Sequence, residues 1–584
     1  VKKIKSLLIG SALTVFSISI MTGCSYNGTD GKADSIAAQG LLKAYVKPYQ
    51  SISFTLPKDG SNAKWYVVGG QAPIRTFDFQ INSNYPLVSV ENATLVSGNT
   101  YRITFNPNIT GKHTTIVTAV NEMQQERKFE FIYNSAITGI LPVLSWYIYR
   151  LSVSWDFNNL AYCISPLDED ADSSQAAMDS SGNTIIVWVQ DQKLFKSEYR
   201  NGAWVHPEST SDFISPAGGT ASSPQVAMDD NGNAIIVWSQ YNGSYYQIFK
   251  SEYRNGAWVH PATLADSFNP GGEGAGIPQV AMDNNGNAII VWNQGGINGR
   301  IFKSEYRNGV WVHPSSVSDY ISVPYMNAYT PQVAMDNDGN AIIVWEGEEE
   351  SHTKSQIFKG EYRNGSWTFP SGAGVTNYIS VPGQSAQSPQ VAMDNNGNAI
   401  IVWQQKFIDG STQERIYKSE YRNGSWNHPS GFSNRINPAE SMEFAEDPGV
   451  AMDDSGNAVI VFEQSGHVFK SEYRNGAWVH PADAEDFISP GGSNASEPFV
   501  SMDNSGNAIV TWIQSDGTNS QVFKSRYRNG AWVHPTGIAD NISPDGEDAV
   551  NARLTCNNGL AVIVWTEPID YYKLIFMAEL PEYR

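Results

Sequence analysis

The chain has 584 residues, too many for one compact core, so two or more domains are expected. Charged residues make up 17%, aromatics 12%, and there are 50 glycines. This profile excludes a disordered or coiled-coil chain and suits an all-β protein rich in turns. The formal charge of −21 excludes a nucleic-acid partner, whose phosphates it would repel; a cation, a basic partner or a neutral glycan fits better.

The N-terminus reads as a targeting segment. Lys2, Lys3 and Lys5 precede an apolar run from Leu7 to Ile20, too short to span a bilayer comfortably. The run ends in Met21-Thr22-Gly23-Cys24, which resembles a bacterial lipobox, with Met21 where that pattern usually has Leu. The resemblance implies a lipoprotein signal peptide over 1–23, a lipidated Cys24 and residence at the outer membrane or cell surface. Contact with the membrane would be through the lipid alone. Residues 24–44 are small and polar and form the tether.

From 45 to 135 the texture changes to alternating runs such as Tyr101-Arg102-Ile103-Thr104-Phe105, separated by turns such as Lys58-Asp59-Gly60. Such spacing predicts a β-sandwich. The stretch from Gly111 to Phe131 resembles the last hairpin of bacterial immunoglobulin-like modules, which act as spacers.

Residues 145–584 are a repeat array. One block reads Pro278-Gln279-Val280-Ala281-Met282-Asp283-Asn284-Asn285-Gly286-Asn287-Ala288-Ile289-Ile290-Val291-Trp292, and a second runs from Ile301 to Pro314. Each period predicts four strands. Asp-Asn-Asn-Gly joins the first two and Arg-Asn-Gly the last two, both tight hairpin turns. The second strand is apolar on both faces and therefore buried on both. Four short antiparallel strands per period is the pattern of a β-propeller of eight four-stranded blades, with seven as the alternative. The last period lacks its fourth strand. The segment from Tyr149 to Trp155 is the expected donor that closes the ring. Cys163 and Cys556 fall near the first and last repeats and could be paired or remain thiols.

Asp283 and its copies suit acceptance of backbone hydrogen bonds within their own turns. The distal Glu of an EF-hand loop is missing. The turn also resembles, distantly, the Asp box of sialidase-like propellers, where that motif is structural. His206, His260, His313, His428, His480 and His534 recur in Trp-x-His-Pro, with Phe369 replacing His once. They are too sparse to chelate a metal and are expected to pack. The recurring Glu305, Arg307 and Trp311 resemble the residue types that fucose-binding propeller lectins use between blades. A solvated charge ladder beside a core Trp is the other reading.

Strand order places the uniform short turns on one rim and every length variation on the other. Binding is expected on the variable rim. Its candidate residues are Glu346, Glu348, Glu349, Glu350, Glu440, Glu443, Asp447, Arg300, Arg415 and Arg435. No catalytic set stands out, and the enzyme question leans to no. A sialidase-like glycoside hydrolase would need arginines such as Arg300, Arg415, Arg435 and Arg553 to converge. No cofactor is called for, calcium on the carboxylates is one option, and metal ligands are not identified. The sequence thus points to a monomeric, surface-anchored, non-enzymatic binding protein for a protein or glycan. A multivalent carbohydrate-binding lectin is the alternative.

Overall fold

The computed structural model describes strands between 41 and 149 and then most of 160–580. Outside the description fall 1–40, 150–159, 581–584 and short internal stretches, including 350–352, 407–412 and 439–443. The lipobox at Cys24 lies outside the described residues, as do Glu350, Glu440 and Glu443. Between 41 and 149, the strands pair into two four-stranded sheets and one two-stranded sheet.

The rest is an all-β propeller of eight four-stranded blades. Blade 3 shows the unit: Ala275–Met282, Ala288–Gln294, Arg300–Arg307 and Val310–Val312, antiparallel and paired in chain order. The inner strands of the eight blades are Ala171–Met178, Ala221–Met228, Ala275–Met282, Ala328–Met335, Ala386–Met393, Ala445–Met452, Ser496–Met502 and Val550–Asn557. Each inner strand contacts the next, and the eighth contacts the first, so the ring is closed.

Alternation in the second strand builds the core. Ala234, Ile236 and Trp238 face blade 1, packing on Ile185, Val187 and Leu194. Ile235 and Val237 face blade 3, packing on Ile290, Trp292 and Phe302. Each blade therefore covers one face of its neighbour, and a blade alone would expose both. Trp188, Trp238, Trp292, Trp345, Trp403, Trp512 and Trp565 are fully buried at these interfaces. Removing one such ring costs about 3–5 kcal/mol.

One expectation about closure needs correction, and of the two alternatives for the cysteines one holds. Blade 8 takes its outer strand from Leu160–Cys163, which pairs with Tyr572–Leu580, rather than from the segment ending at Trp155. Tyr149 belongs to the strand Leu141–Tyr149, which pairs upstream with Glu126–Thr138. The likeness of Tyr149–Trp155 to the fourth strand misled, because pairing selects the segment that can run beside the exposed edge of blade 8. Cys163 and Cys556 form no disulfide. They lie on the outer and inner strands of blade 8 with two strands between them. At about 4.8 Å per strand, that gap exceeds the 7 Å or so between Cα atoms that a disulfide can bridge.

Candidate functional site

The uniform rim is a structural belt. Asp283 Oδ1 accepts from the backbone N–H groups of Asn285 at 2.9 Å and Asn287 at 2.8 Å, while Oδ2 accepts from Asn287 Nδ2 at 2.6 Å. The neighbouring turns are then bonded around the ring. Ser180 N–H donates to Asp230 at 3.0 Å, Asp230 N–H to Asn284 at 2.9 Å, and Asn284 N–H to Asn337 at 3.0 Å. Repetition of Asp-Asn-Asn-Gly is thus explained without a ligand.

The charged row is also committed between blades. Glu305 takes Lys303 and Arg307 from its own strand, and Trp367 Nε1 from the next blade at 3.1 Å. Trp311 donates back to Glu252 at 2.9 Å. The expected set of Glu305, Arg307 and Trp311 is therefore split across two interfaces. Burial pushes the Glu305 carboxyl up, but Lys303, Arg307 and Trp367 together hold it below the usual range.

The histidines pack, as their spacing implied. His313 stacks on Trp311 at 5.4 Å and its Nδ1 shares a hydrogen bond with Ser304 Oγ at 2.9 Å. Burial holds the ring neutral, with its pKa down at about 4.

The variable rim has a different character. Near the start of each inner strand the ladder slips, as between Gly276 and Gln279. A residue within each slip turns left-handed: Ser173 φ 57°, Ser223 51°, Ile277 52°, Thr330 46°, Ser388 54°, Asp447 51°, Glu497 53° and Asn551 57°. Each such L-residue costs about 1–3 kcal/mol, a cost that clusters where backbone is shaped for a ligand. The cross-strand pair beside it differs in every blade. Tyr329 faces Glu346, Gln387 faces Gln404, Glu446 faces Glu463, and Val550 faces Thr566.

Acid concentrates over blades 5 to 8. Glu446 and Glu463 are direct cross-strand partners. Burial, then repulsion from Glu446, Asp447 and Glu497, lifts the Glu463 carboxyl to about 7. Burial and Asp447 raise Glu446; burial and Glu446 raise Glu414 of blade 5. Burial raises Asp447, and Arg553 of blade 8 pulls it back. Arg553 is itself lowered by burial, held up by Glu497 and Asp447, and lies 5.5 Å over the Phe499 ring. Blade 5 fixes this ground: Gln404 Nε2 donates to Glu414 at 2.7 Å, and its Oε1 accepts the Asp447 N–H at 3.0 Å.

A cleft of about 610 Å³ adjoins this acid, lined by Gln464, Ser465, His467, Phe469, Glu485 and Phe487. His467 stacks on Phe487 at 4.2 Å and 16°. The hairpin here is only Ser465-Gly466, with Ser465 at φ 61°, so it does not rise over the cleft.

Of the residues picked from sequence, Asp447 lies in this cluster. Glu346 and Glu348 are not loop residues but end the second strand of blade 4, where Glu348 accepts from Asn327 at 2.6 Å and burial raises Glu346. Glu349 follows them, accepting from Thr353 Oγ1 at 3.3 Å. Arg415 is buried in the third strand of blade 5 near Arg435, both close to Tyr417, whose hydroxyl burial pushes up to about 12. Arg300 sits in blade 3, 3.8 Å from Glu273 and 5.3 Å from the Tyr320 ring centre. With Arg553 on an inner strand and Arg300 and Arg415 on third strands, the four form no common clamp. Glu414, Glu463 and Glu497 escaped the sequence reading. Their signal was there: each fills a position that changes from repeat to repeat. Among the described residues, no group of three or more His, Cys, Asp or Glu is set to hold a metal ion.

No protein-family model matches the chain, and no curated protein matches it. Solved structures do resemble it distantly. An ulvan lyase of polysaccharide lyase family PL25 is 10% identical over 72% of this chain and 96% of that one, with TM-score 0.40. The Aleuria aurantia lectin, solved with Fucα1-6GlcNAc, is 15% identical over 53% and 95%, with TM-score 0.31. A Dyadobacter fermentans protein of unknown function is 9% identical over 64% and 97%, with TM-score 0.33. The chain is an eight-bladed propeller with distant propeller neighbours. Likeness this remote transfers neither ligand nor activity.

Proposed function

We propose that this protein is a non-enzymatic binding protein that captures a partner bearing clustered positive charge on the variable rim of blades 5 to 8. The observation that carries this reading is the Glu446–Glu463 pair. Like charges placed directly opposite across a ladder destabilise it. Asp447 and Glu497 add to that repulsion, and Arg553 offsets only part of it. Lysine or arginine side chains of a partner would relieve it. A lipid on Cys24 would hold this rim at the outer membrane or cell surface.

The test is titration of the full chain with a lysine-rich peptide. Binding should weaken steeply with salt, since it is charge-driven. The variant Glu446→Gln/Glu463→Gln should lose about tenfold or more in affinity. Unchanged affinity in that variant would end the assignment.

A second reading has one observation behind it. The cleft beside Glu463 joins a stacked His467–Phe487 pair to Gln464 and Glu485, a surface suited to a sugar ring. Glycan binding that survives Glu446→Gln/Glu463→Gln but not Phe487→Ala would favour it.

A further inference from the structure

One backbone bond recurs at the variable rim of every blade. The loop that leaves the fourth strand lies back beside the third and donates to it: Ile214 N–H to Leu194 O at 2.8 Å, Ile321 to Ile301 at 2.7 Å, Ile436 to Ile416 at 2.9 Å and Ile488 to Val468 at 2.8 Å. The residues just before the two partners form a side-chain pair over that bond. In blades 1, 2, 3, 6 and 7 the pair is complementary. Lys193 lies 5.5 Å over the Phe213 ring, and Arg300 lies 5.3 Å over Tyr320. His467 stacks on Phe487 at 4.2 Å. Ser267 Oγ donates to Gln247 Oε1 at 3.4 Å, and Asn541 Nδ2 to Gln521 Oε1 at 3.2 Å.

Blade 5 breaks this rule. Its pair is Arg415 and Arg435, two guanidinium groups where blade 3 has an arginine and a tyrosine. Arg415 is buried; its Nη1 donates to Glu414 O at 3.0 Å and its Nη2 to Gln413 Oε1 at 3.4 Å. Arg435 is half-buried, and among the described residues its side chain makes no hydrogen bond or ion pair. The adjacent carboxylate of Glu414 leaves the other face of the strand, where Gln404 and Gln387 donate to it at 2.7 and 3.5 Å. Burial, then repulsion from Arg435, lowers Arg415. On a chain of net −21 the pair is a local island of positive charge.

The geometry points to an anion site on blade 5, where Arg435 contacts an oxoanion, the carboxylate, sulfate or phosphate group of a ligand, above the buried Arg415. A guanidinium presents paired N–H donors that match two oxygens of such a group. The charge of Arg415 acts through a poorly hydrated surrounding, so it reaches the anion more strongly than it would through water. A bound anion also relieves the repulsion between the two arginines. This position on the rim can admit a ligand: in blade 6 the equivalent pair, His467 and Phe487, lines the cleft of about 610 Å³. The site goes beyond the cation-capturing rim and uses neither Glu446 nor Glu463, so each can fail without the other.

The probes are the sodium salts of acetate, methyl sulfate and methyl phosphate, added to the full chain at millimolar concentration. Chloride at equal ionic strength is the control, and the readout is a saturable rise in melting temperature. At least one probe should raise it above chloride, and which one does so separates carboxylate from sulfate and phosphate. Arg435→Tyr, which restores the pairing of blade 3, and Arg435→Gln should each weaken the apparent affinity about tenfold or more. Arg300→Gln and Glu446→Gln/Glu463→Gln should keep the rise. Crystals of the parent chain soaked in the effective probe should show it on Arg435, a readout that stands even if a variant does not fold. No rise beyond chloride with any probe, a rise kept by a folded Arg435 variant or lost in Arg300→Gln, or a soaked probe located elsewhere would each overturn the proposal.

Discussion

The most telling residue is one that breaks the repeat. Six blades pair a histidine with a serine nine residues earlier, as His313 with Ser304. Blade 4 has Phe369 and Gly360 instead. Phe369 stacks on Trp367 at 5.1 Å, and a Cβ at Gly360 would meet the Phe369 ring at 2.5 Å. The two changes therefore depend on each other. Gly360→Ser should destabilise by about 1–3 kcal/mol through overpacking, and adding Phe369→His should restore most of that loss in a denaturant melt. The loss of His at 369 was visible in the sequence. Its partner was not, because nothing in a linear reading ties a strand-three residue to one nine positions on. Glu463 makes the second argument at this scale. Its carboxyl titrates near 7, so raising the pH through that value ionises it. Affinity for a cationic peptide should rise across the same interval, and Glu463→Gln should flatten that rise.

At the scale of the blade, a clamp links the core to the variable rim. Trp292 Nε1 donates to Gln294 Oε1 at 3.1 Å, and Gln294 Nε2 donates to Pro270 O at 2.6 Å, on the loop arriving from blade 2. The same pair of bonds fixes Gln190, Gln240 and Gln514. Gln294→Leu strands a buried indole N–H and a carbonyl, and should cost about 2–4 kcal/mol in thermal unfolding. The Trp-x-Gln spacing was plain in the sequence, yet its reach of 24 residues back could not be read from it. Strands, turns and their order were legible because hydrophobic period and Asn-Gly chemistry are local. The acidic site was only half legible. Asp447 stood out as part of a charged run, whereas Glu463 and Glu497 sit alone in strand sequence and meet it only through cross-strand and interblade packing.

Closure is a property of the whole ring. Leu160–Cys163 ties the start of the propeller to its last blade, and Ser165 Oγ accepts the Ile575 N–H at 2.9 Å. Across the seam Trp204 donates to Glu579, and Met178, Ile186 and Trp188 pack on Val562, Val564 and Ile575. Tyr162→Pro removes a ladder donor and should lower the melting temperature of the whole propeller cooperatively, not of one blade.

Acid should do the same for a different reason. The six stacked histidines, partly covered by their tryptophans, have folded pKa values of about 4 against 6.5 when free. Unfolding therefore takes up protons between these values, and the stability they carry is complete above 6.5 and lost as pH falls toward 4. The interblade glutamates, held below their usual range, add a further loss below about 4.5. Carboxyls that burial raises, Glu346, Glu414, Glu446, Asp447 and Glu463 among them, work the other way, Glu463 from about 7 downward, against the six histidines and the six interblade glutamates. Melting temperature should be flat above neutrality and fall continuously from pH 6.5 downward.

The acidic rim is tested most directly by calorimetric titration of the full chain with a lysine-rich peptide at pH 6 and pH 8, beside Glu446→Gln/Glu463→Gln. Binding should be tighter at the higher pH, with proton release at the lower, and both the affinity and its pH dependence should be lost in the variant. Equal affinity at the two pH values, or a variant that binds as the parent does, would contradict a cation-capturing rim over blades 5 to 8.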